Sequence, residues 1–193
     1  MPPKAKYTKE QITKAALDIV RSEGIDSLTA RTLAKRLGSS SCPIFTVFEN
    51  MEEVQHAVTD IAKSYYKDYI EKGLSDTKAF KGVGLQYILF SIKEPKLFQL
   101  LFMNEQTFLP NINNVLPLID ESYEKILSSI TESYGVNEHT AQKLYRHLWI
   151  YSHGIATLCA TKMCHFTGEE ISQMISDVFA SLIKNMKEVE NND

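Results

Sequence analysis

Apolar residues in this chain recur every three to four positions, and no stretch alternates in twos. Ile12, Ala15, Ala16, Ile19 and Val20 draw one stripe at i, i+3, i+4, i+7 and i+8, the spacing that gathers side chains on one face of an α-helix. Ala30, Leu33, Ala34 and Leu37 draw a second. Nothing reads as a half-buried strand. The periodicity therefore predicts an all-α fold.

Polar residues and glycines punctuate these stripes. Thr8 is placed to cap the first helix and Gly24 to stop it; Thr29 and Gly38 do the same for the second. A third short helix is expected with Ile44 and Phe48 inward, Ser40 or Ser41 as its cap and Pro43 in its first turn, where a missing N–H is harmless. Asn50 with Glu53 is a capping-box variant. It opens a long helix to about Gly73, with Val54, Val58, Ile61, Ala62, Tyr65 and Tyr69 on one face. Further helices are expected over about 76–93, 95–103, 113–134, 138–164 and 168–188. Glu94-Pro95, Pro110-Asn111, Gly135 and Thr167-Gly168 separate them. Thr167 with Glu170 makes another capping box.

Charge is uneven. Residues 1–48 carry eight basic and four acidic side chains, a net of +4, which leaves −7 for the remainder of a chain whose total is −3. A basic head on an acidic body suits a polyanion-binding head. The chain is 44% hydrophobic and 23% charged, the balance of a globular protein. No run approaches the roughly 20 apolar residues of a membrane span, and the start MPPKAKYTKE lacks the apolar stretch of a signal peptide. A cytoplasmic protein with no membrane partner is expected. Cys42, Cys159 and Cys164 are too few and too scattered for a disulfide framework.

Three short helices with Gly38 at the second turn describe a helix-turn-helix head. The run from Thr8 to Val54 resembles the DNA-binding domain of the TetR family. The matching residues are Ile12, Ala15, Ala16, Gly24, the segment LTARTLAKRLGSSS from Leu28 and the segment PIFTVFENMEEV from Pro43. A weaker likeness lies at Leu148-Trp149-Ile150-Tyr151-Ser152-His153-Gly154, which is similar to a Trp…His-Gly element in the effector domain of some branches. The resemblance implies a helix-turn-helix domain over 1–50 and a ligand-binding and dimerisation domain over 51–193. It implies a transcription regulator, a repressor released by a small apolar or amphipathic ligand. Its partners would be a double-stranded DNA operator, a small-molecule effector and a second copy of the chain. No cofactor is expected.

Two positions depart from the family pattern. The family usually has Tyr where Phe45 stands and Lys where Met51 stands, and both typically contact phosphates. Ser39 to Phe48 carries no charge at all. Side chains there can read bases only through hydroxyls and apolar contacts to thymine methyls. Phosphate contacts are then expected from Lys6, Thr29, Arg31, Lys35 and the N-terminus of the recognition helix. Ser40, Ser41, Cys42, Phe45, Thr46 and Val47 complete the expected DNA surface. These departures also keep open a rival: a helical ligand-binding or interaction module with little or no DNA affinity.

Aromatic residues crowd the body. Most aromatic stripes at helical spacing are core, but the same groups line pockets between bundle helices. Tyr65, Tyr69, Phe98, Phe102, Tyr123, Trp149 and His153 are the expected ligand lining, chosen by type and helix face. Cys159, Met163, Cys164 and His165 invite a soft-metal reading, yet no CxxC or HxxxH spacing exists, and no metal is expected. No paired carboxylates, nucleophile elbow or phosphate loop appears, so catalysis is not expected. A helical enzyme using a body cavity is the third alternative.

Both long C-terminal helices are apolar on two sides. One carries Leu144, Leu148, Tyr151, Ile155 and Leu158 on one line and Trp149, His153, Ala156 and Ala160 on another. The other carries Ile171, Met174, Val178 and Leu182 beside Ile175, Phe179, Ile183 and Met186. A helix on a protein surface buries one stripe, so a second partner is needed. With the resemblance, this predicts a four-helix interface between two copies.

Overall fold

The structure is a computed structural model and describes residues 6–105, 111–119 and 121–190. Among them it holds nine α-helices and one short 3-10 turn, with no strand. The all-α fold is as expected. Pro110, read above as a breaker, lies outside the described residues.

Local capping sets where the helices begin. Helix α1 (Lys9–Glu23) starts at a complete capping box: Gln11 N–H donates to Thr8 Oγ1 at 3.2 Å, and Thr8 N–H donates to Gln11 Oε1 at 2.9 Å. It stops at Gly24, whose φ of 93° an L side chain rarely adopts. Helix α2 (Ala30–Arg36) repeats the device with Thr29 and Thr32. Helix α3 (Met51–Leu74) is capped by Asn50 Oδ1, which accepts from Glu53 N–H at 2.9 Å. The Glu53 carboxylate reaches one residue further back than the usual box and accepts from Glu49 N–H at 2.8 Å.

The third short helix departs from expectation. Residues 42–47 form a wound run of turns, not a continuous α-helix. Its hydrogen bonds are mostly of i→i+3 type: Ile44 to Ser41 at 3.0 Å, Phe45 to Cys42 at 3.1 Å, Val47 to Ile44 at 3.1 Å. Pro43 supplies no N–H, and Ile44, Thr46 and Val47 are β-branched, so little in this stretch favours regular helix. Ile44 and Phe48 still point inward and are fully buried.

Beyond α3 come α4 (Ala79–Lys93), α5 (Pro95–Phe102), α6 (Ile112–Ile119), α7 (Tyr123–Tyr134), α8 (Glu138–Ala160) and α9 (Gly168–Glu190). The single helix expected over 113–134 is two. Pro117 sits inside α6 and cannot donate to the preceding turn, and the chain bends at Glu121-Ser122 before α7 begins. Helix α8 ends four residues early, at Ala160; Lys162 then adopts a φ of 58° in the turn that follows. Thr167 and Glu170 close the capping box of α9 from both sides, at 2.7 and 3.2 Å.

Packing divides the chain into two compact units that do not follow chain order. The first comprises Met1–Tyr65 with Glu94–Asn104, the second Tyr66–Lys93 with Glu105–Asp193. The first unit's core is Ile12, Ala16, Val20, Leu33, Ile44 and Phe48, joined by Val54, Val58 and Ala62 of α3 and by Leu97 and Phe98 of α5, all essentially without exposure. Burial of this many aliphatic and aromatic side chains is the main term holding a domain together. In the second unit α4 is the central helix, packed chiefly on α8 and also on α7 and α9. Its buried Phe80, Val83, Tyr87, Ile88 and Phe90 cover more than one face, as a helix enclosed by others requires. The inward line of α3 runs Val54, Val58, Ala62, Tyr66, Ile70; Tyr65 is 37% exposed instead. With two adjacent tyrosines, residue type could not say which faces in.

Candidate functional site

In the first unit, hydrogen bonds and ion pairs decide which cations are spent. Lys9 Nζ lies 2.8 Å from Glu53 Oε1 and sits over the Phe48 ring, 4.9 Å from its centroid. The Glu53 carboxyl is held below its usual range, by Lys9 first and by the Glu49 N–H next. Arg21 forms a two-pronged pair with Glu94 and lies over the Tyr65 ring. Those bonds raise its already high pKa. Arg36 is paired more loosely with Glu23, at 3.9 Å. Lys6, Lys14, Arg31 and Lys35 are exposed, and among the described residues none of them is closed into an ion pair.

The expected DNA-facing residues fall as follows. Lys6, Thr29, Arg31, Lys35, Ser40, Cys42 and Thr46 are exposed; Ser41 and Val47 are half-buried; Phe45 is 43% exposed, unusual for a ring with no partner face. Thr29 Oγ1 is occupied by capping α2. Thr46 Oγ1 donates to the Pro43 carbonyl at 2.8 Å. Tyr7 OH donates to the Leu37 carbonyl at 2.6 Å and so ties the segment before α1 to the end of α2. Together Cys42, Phe45 and Thr46 make an uncharged exposed ridge, with the unpaired cations on separate elements.

The second unit contains a cavity of about 390 Å³, with walls from α3, α4, α7, α8 and α9. Its walls are largely aromatic: Phe80 meets Tyr145 edge-on with centroids 6.0 Å apart, Phe80 meets Phe179 at 6.1 Å, and Tyr134 packs on Phe179 at 4.7 Å. Tyr87 OH and His153 Nδ1 are 2.8 Å apart, and the His153 ring stacks on Trp149 at 5.0 Å. Burial pushes the His153 imidazole down toward its neutral form and the Tyr134 phenol up toward its protonated form. Two cations reach the cavity. Lys78 and Lys81 line it at the start of α4, and Lys81 Nζ donates to Ser176 Oγ of α9 at 2.8 Å.

Of the expected ligand lining, Trp149 is in the cavity wall, and His153 stands behind the wall on Tyr87 and Trp149. Tyr69 packs on Phe90 and Tyr123 on Tyr145, in the same unit. Tyr65, Phe98 and Phe102 belong to the first unit; Phe98 is fully buried there against Phe102. Phe80 and Tyr87 were among the aromatics of the body but not in the expected lining, and Tyr134, Tyr145 and the two lysines were in neither. A partial signal existed in Lys81, Gly84 and Tyr87 at steps of three, where a small residue between a cation and an aromatic leaves space on adjoining faces of one helix.

Comparison with protein-family models finds no match, and comparison with curated proteins finds none. Solved structures do match. A protein of unknown function from Rhodococcus sp. RHA1 is similar over 96% of this chain and 98% of its own, with a TM-score of 0.70 at 16% identity. A TetR variant from Acinetobacter baumannii AYE, solved in complex with minocycline, is similar over 95% of this chain and 98% of its own, with a TM-score of 0.57 at 17% identity. At such identities the likeness is one of fold, and the fold of this chain is TetR-like.

Proposed function

We propose that the chain is a DNA-binding transcription regulator of TetR type, a repressor released when a small molecule occupies the body cavity. The observation that carries the reading is the head: Lys6, Arg31 and Lys35 stand exposed and outside any ion pair among the described residues, and the same unit exposes the uncharged Cys42, Phe45 and Thr46. Cations left unneutralised in a fold of this kind are what a phosphate backbone selects. The division of labour is the one the sequence suggests, with DNA contact in residues 1–50 and ligand binding and dimerisation in 51–193. Thymine methyls and groove edges are the partners for Phe45 and Val47, with the Thr46 hydroxyl as a polar reader.

The cavity supports the second half of the reading. Its volume lies in the range of small-molecule pockets, and it combines an aromatic wall with a few polar groups. Occupation of the cavity shifts DNA affinity only if the ligand prefers one of two states of the protein. Helices α8 and α9 would supply the dimer interface. A selection from random duplexes, followed by gel shift at low and moderate salt, tests the proposal. A selected duplex bound in a steeply salt-dependent way is the expected result. Failure to enrich any duplex would leave the rival, a helical ligand-binding module without DNA affinity.

A further inference from the structure

We propose that the cavity ligand is an aromatic carboxylate, seated with its anionic group at Lys78 and Lys81 and its rings along the wall toward Tyr87 and Trp149. The proposal rests on the reading of this cavity as the ligand site and adds the charge and orientation of what it takes.

Charge at the cavity is one-sided. Lys78 and Lys81 both line it, and among the described residues neither ammonium is closed into an ion pair. Lys81 uses one of its three donors on Ser176 Oγ, and Ser176 in turn donates to the Ser172 carbonyl at 2.7 Å. That hydrogen bond points Lys81 across from α4 to α9. The nearby acid, Asp76, is committed to the backbone: its Oδ1 accepts from Lys78 N–H at 3.1 Å and from the Thr77 hydroxyl at 3.2 Å. Its charge reaches Lys81 only at longer range. Among the described residues no carboxylate lines the cavity. Two cations beside an apolar wall favour a ligand that brings one negative charge and leaves the rest of its surface apolar.

The far end has a different character. Tyr87 lies six residues beyond Lys81 on α4, about 9 Å along the helix axis at 1.5 Å per residue. There Tyr87 OH and His153 Nδ1 are paired with each other, with burial favouring the neutral imidazole, and Ser152 adds a neutral hydroxyl to the wall. Among the described lining residues a second charge would find no charged partner there. Much of the remaining wall is rings, Phe80, Tyr145 and Phe179, set beside Val83, Leu148 and Ile175. Offset and edge-on packing against such rings favours a flat aromatic body over a flexible chain. A two-ring acid of that length fits the polarity from end to end.

The experiment compares naphthylacetate with naphthylacetamide, nearly equal in shape and different in charge, by titration calorimetry on the whole chain. The acid should bind about tenfold or more tighter, about 1.4 kcal/mol. In Lys78→Met combined with Lys81→Met, the acid should fall to within about twofold of the amide. Amide binding that persists there, with a circular dichroism melt like that of the native chain, shows that the variant is folded. Lys81→Gln keeps a donor for Ser176 and should lose most of the preference too. An amide that matches the acid in the native protein would overturn the proposal while leaving the cavity as a ligand site. So would a preference for the acid that survives both substitutions. Binding of neither compound would overturn the proposal and the ligand-site reading together.

Discussion

Gly73 and Gly82 meet backbone to backbone where α3 ends and α4 begins. A Cβ on Gly73 would lie 2.7 Å from the backbone of Val83, and a Cβ on Gly82 would collide with the Gly73 carbonyl oxygen. The obstacle in each case is main chain, which cannot rotate away. Gly82→Ala should therefore force the helices apart and cost about 1–3 kcal/mol. At this chain length that is a fall in melting temperature of roughly 2–4 °C per kcal/mol, read by circular dichroism. An unchanged melt would mean that the junction yields at no cost.

Two head lysine and arginine positions should respond differently to alanine. Arg31 is exposed and outside any described ion pair, so Arg31→Ala should weaken binding to a selected duplex at all sequences and lower the slope of log affinity against log salt by about one. Lys9 is committed to Glu53 and the Phe48 ring. Lys9→Ala should leave that slope nearly intact. A slope unchanged by Arg31→Ala removes Arg31 from the interface.

His153 makes stability depend on pH in a direction that can be worked out. Burial lowers its pKa below the ordinary value of 6.5. The unfolded chain therefore takes up the proton first as pH falls. The contribution is fully present above about pH 6.5 and is lost as pH drops through the lower, folded value. Denaturant midpoints measured from pH 7.5 downward should fall below about pH 6.5, and His153→Phe should flatten that part of the curve. A native curve with no change over this range would count against a buried neutral imidazole.

Dimerisation through α8 and α9 predicts a mass of twice 21.9 kDa by light scattering at micromolar concentration. Ile171 and Ile175 of α9 are buried within the chain, whereas Met174, Val178 and Leu182, further along the line that Ile171 begins, are half-buried and so form its outer part. Val178→Lys places a charge on that outer line and should shift the mass to a single chain. A native protein that already runs as a monomer would end the proposal of a four-helix interface.

The helices were legible because their signals are local. Thr8 with Gly24 bounded α1, and Thr167 with Glu170 opened α9, since a cap needs only the residues beside it. The stretch after Pro43 was harder. Ile44 and Phe48 gave the correct inward face, but i→i+3 and i→i+4 winding share that spacing, and only backbone hydrogen bonds separate them. Pro117 was a visible breaker in the span expected as one helix, and the division came a turn after it. Cavity walls were least legible. Phe80 and Phe98 are chemically alike, yet Phe80 lines the cavity and Phe98 is sealed in the first unit. Which ring faces space depends on the mutual register of several helices, a property that no single stripe encodes. Trp149 is the chain's single tryptophan and stands in the wall, so its fluorescence reports on that space without a label.

The first compact unit takes Leu97 and Phe98 from α5, a helix encoded long after the head's other residues. Its inheritance is therefore not that of a cassette. A single recombination crossover near residue 50 would bring a foreign head onto this body while keeping the old α5, and the transplanted core would receive a plug shaped for another socket. Exchange of specificity between such chains should succeed mainly when the 94–104 segment travels with the head, as two separate pieces of gene.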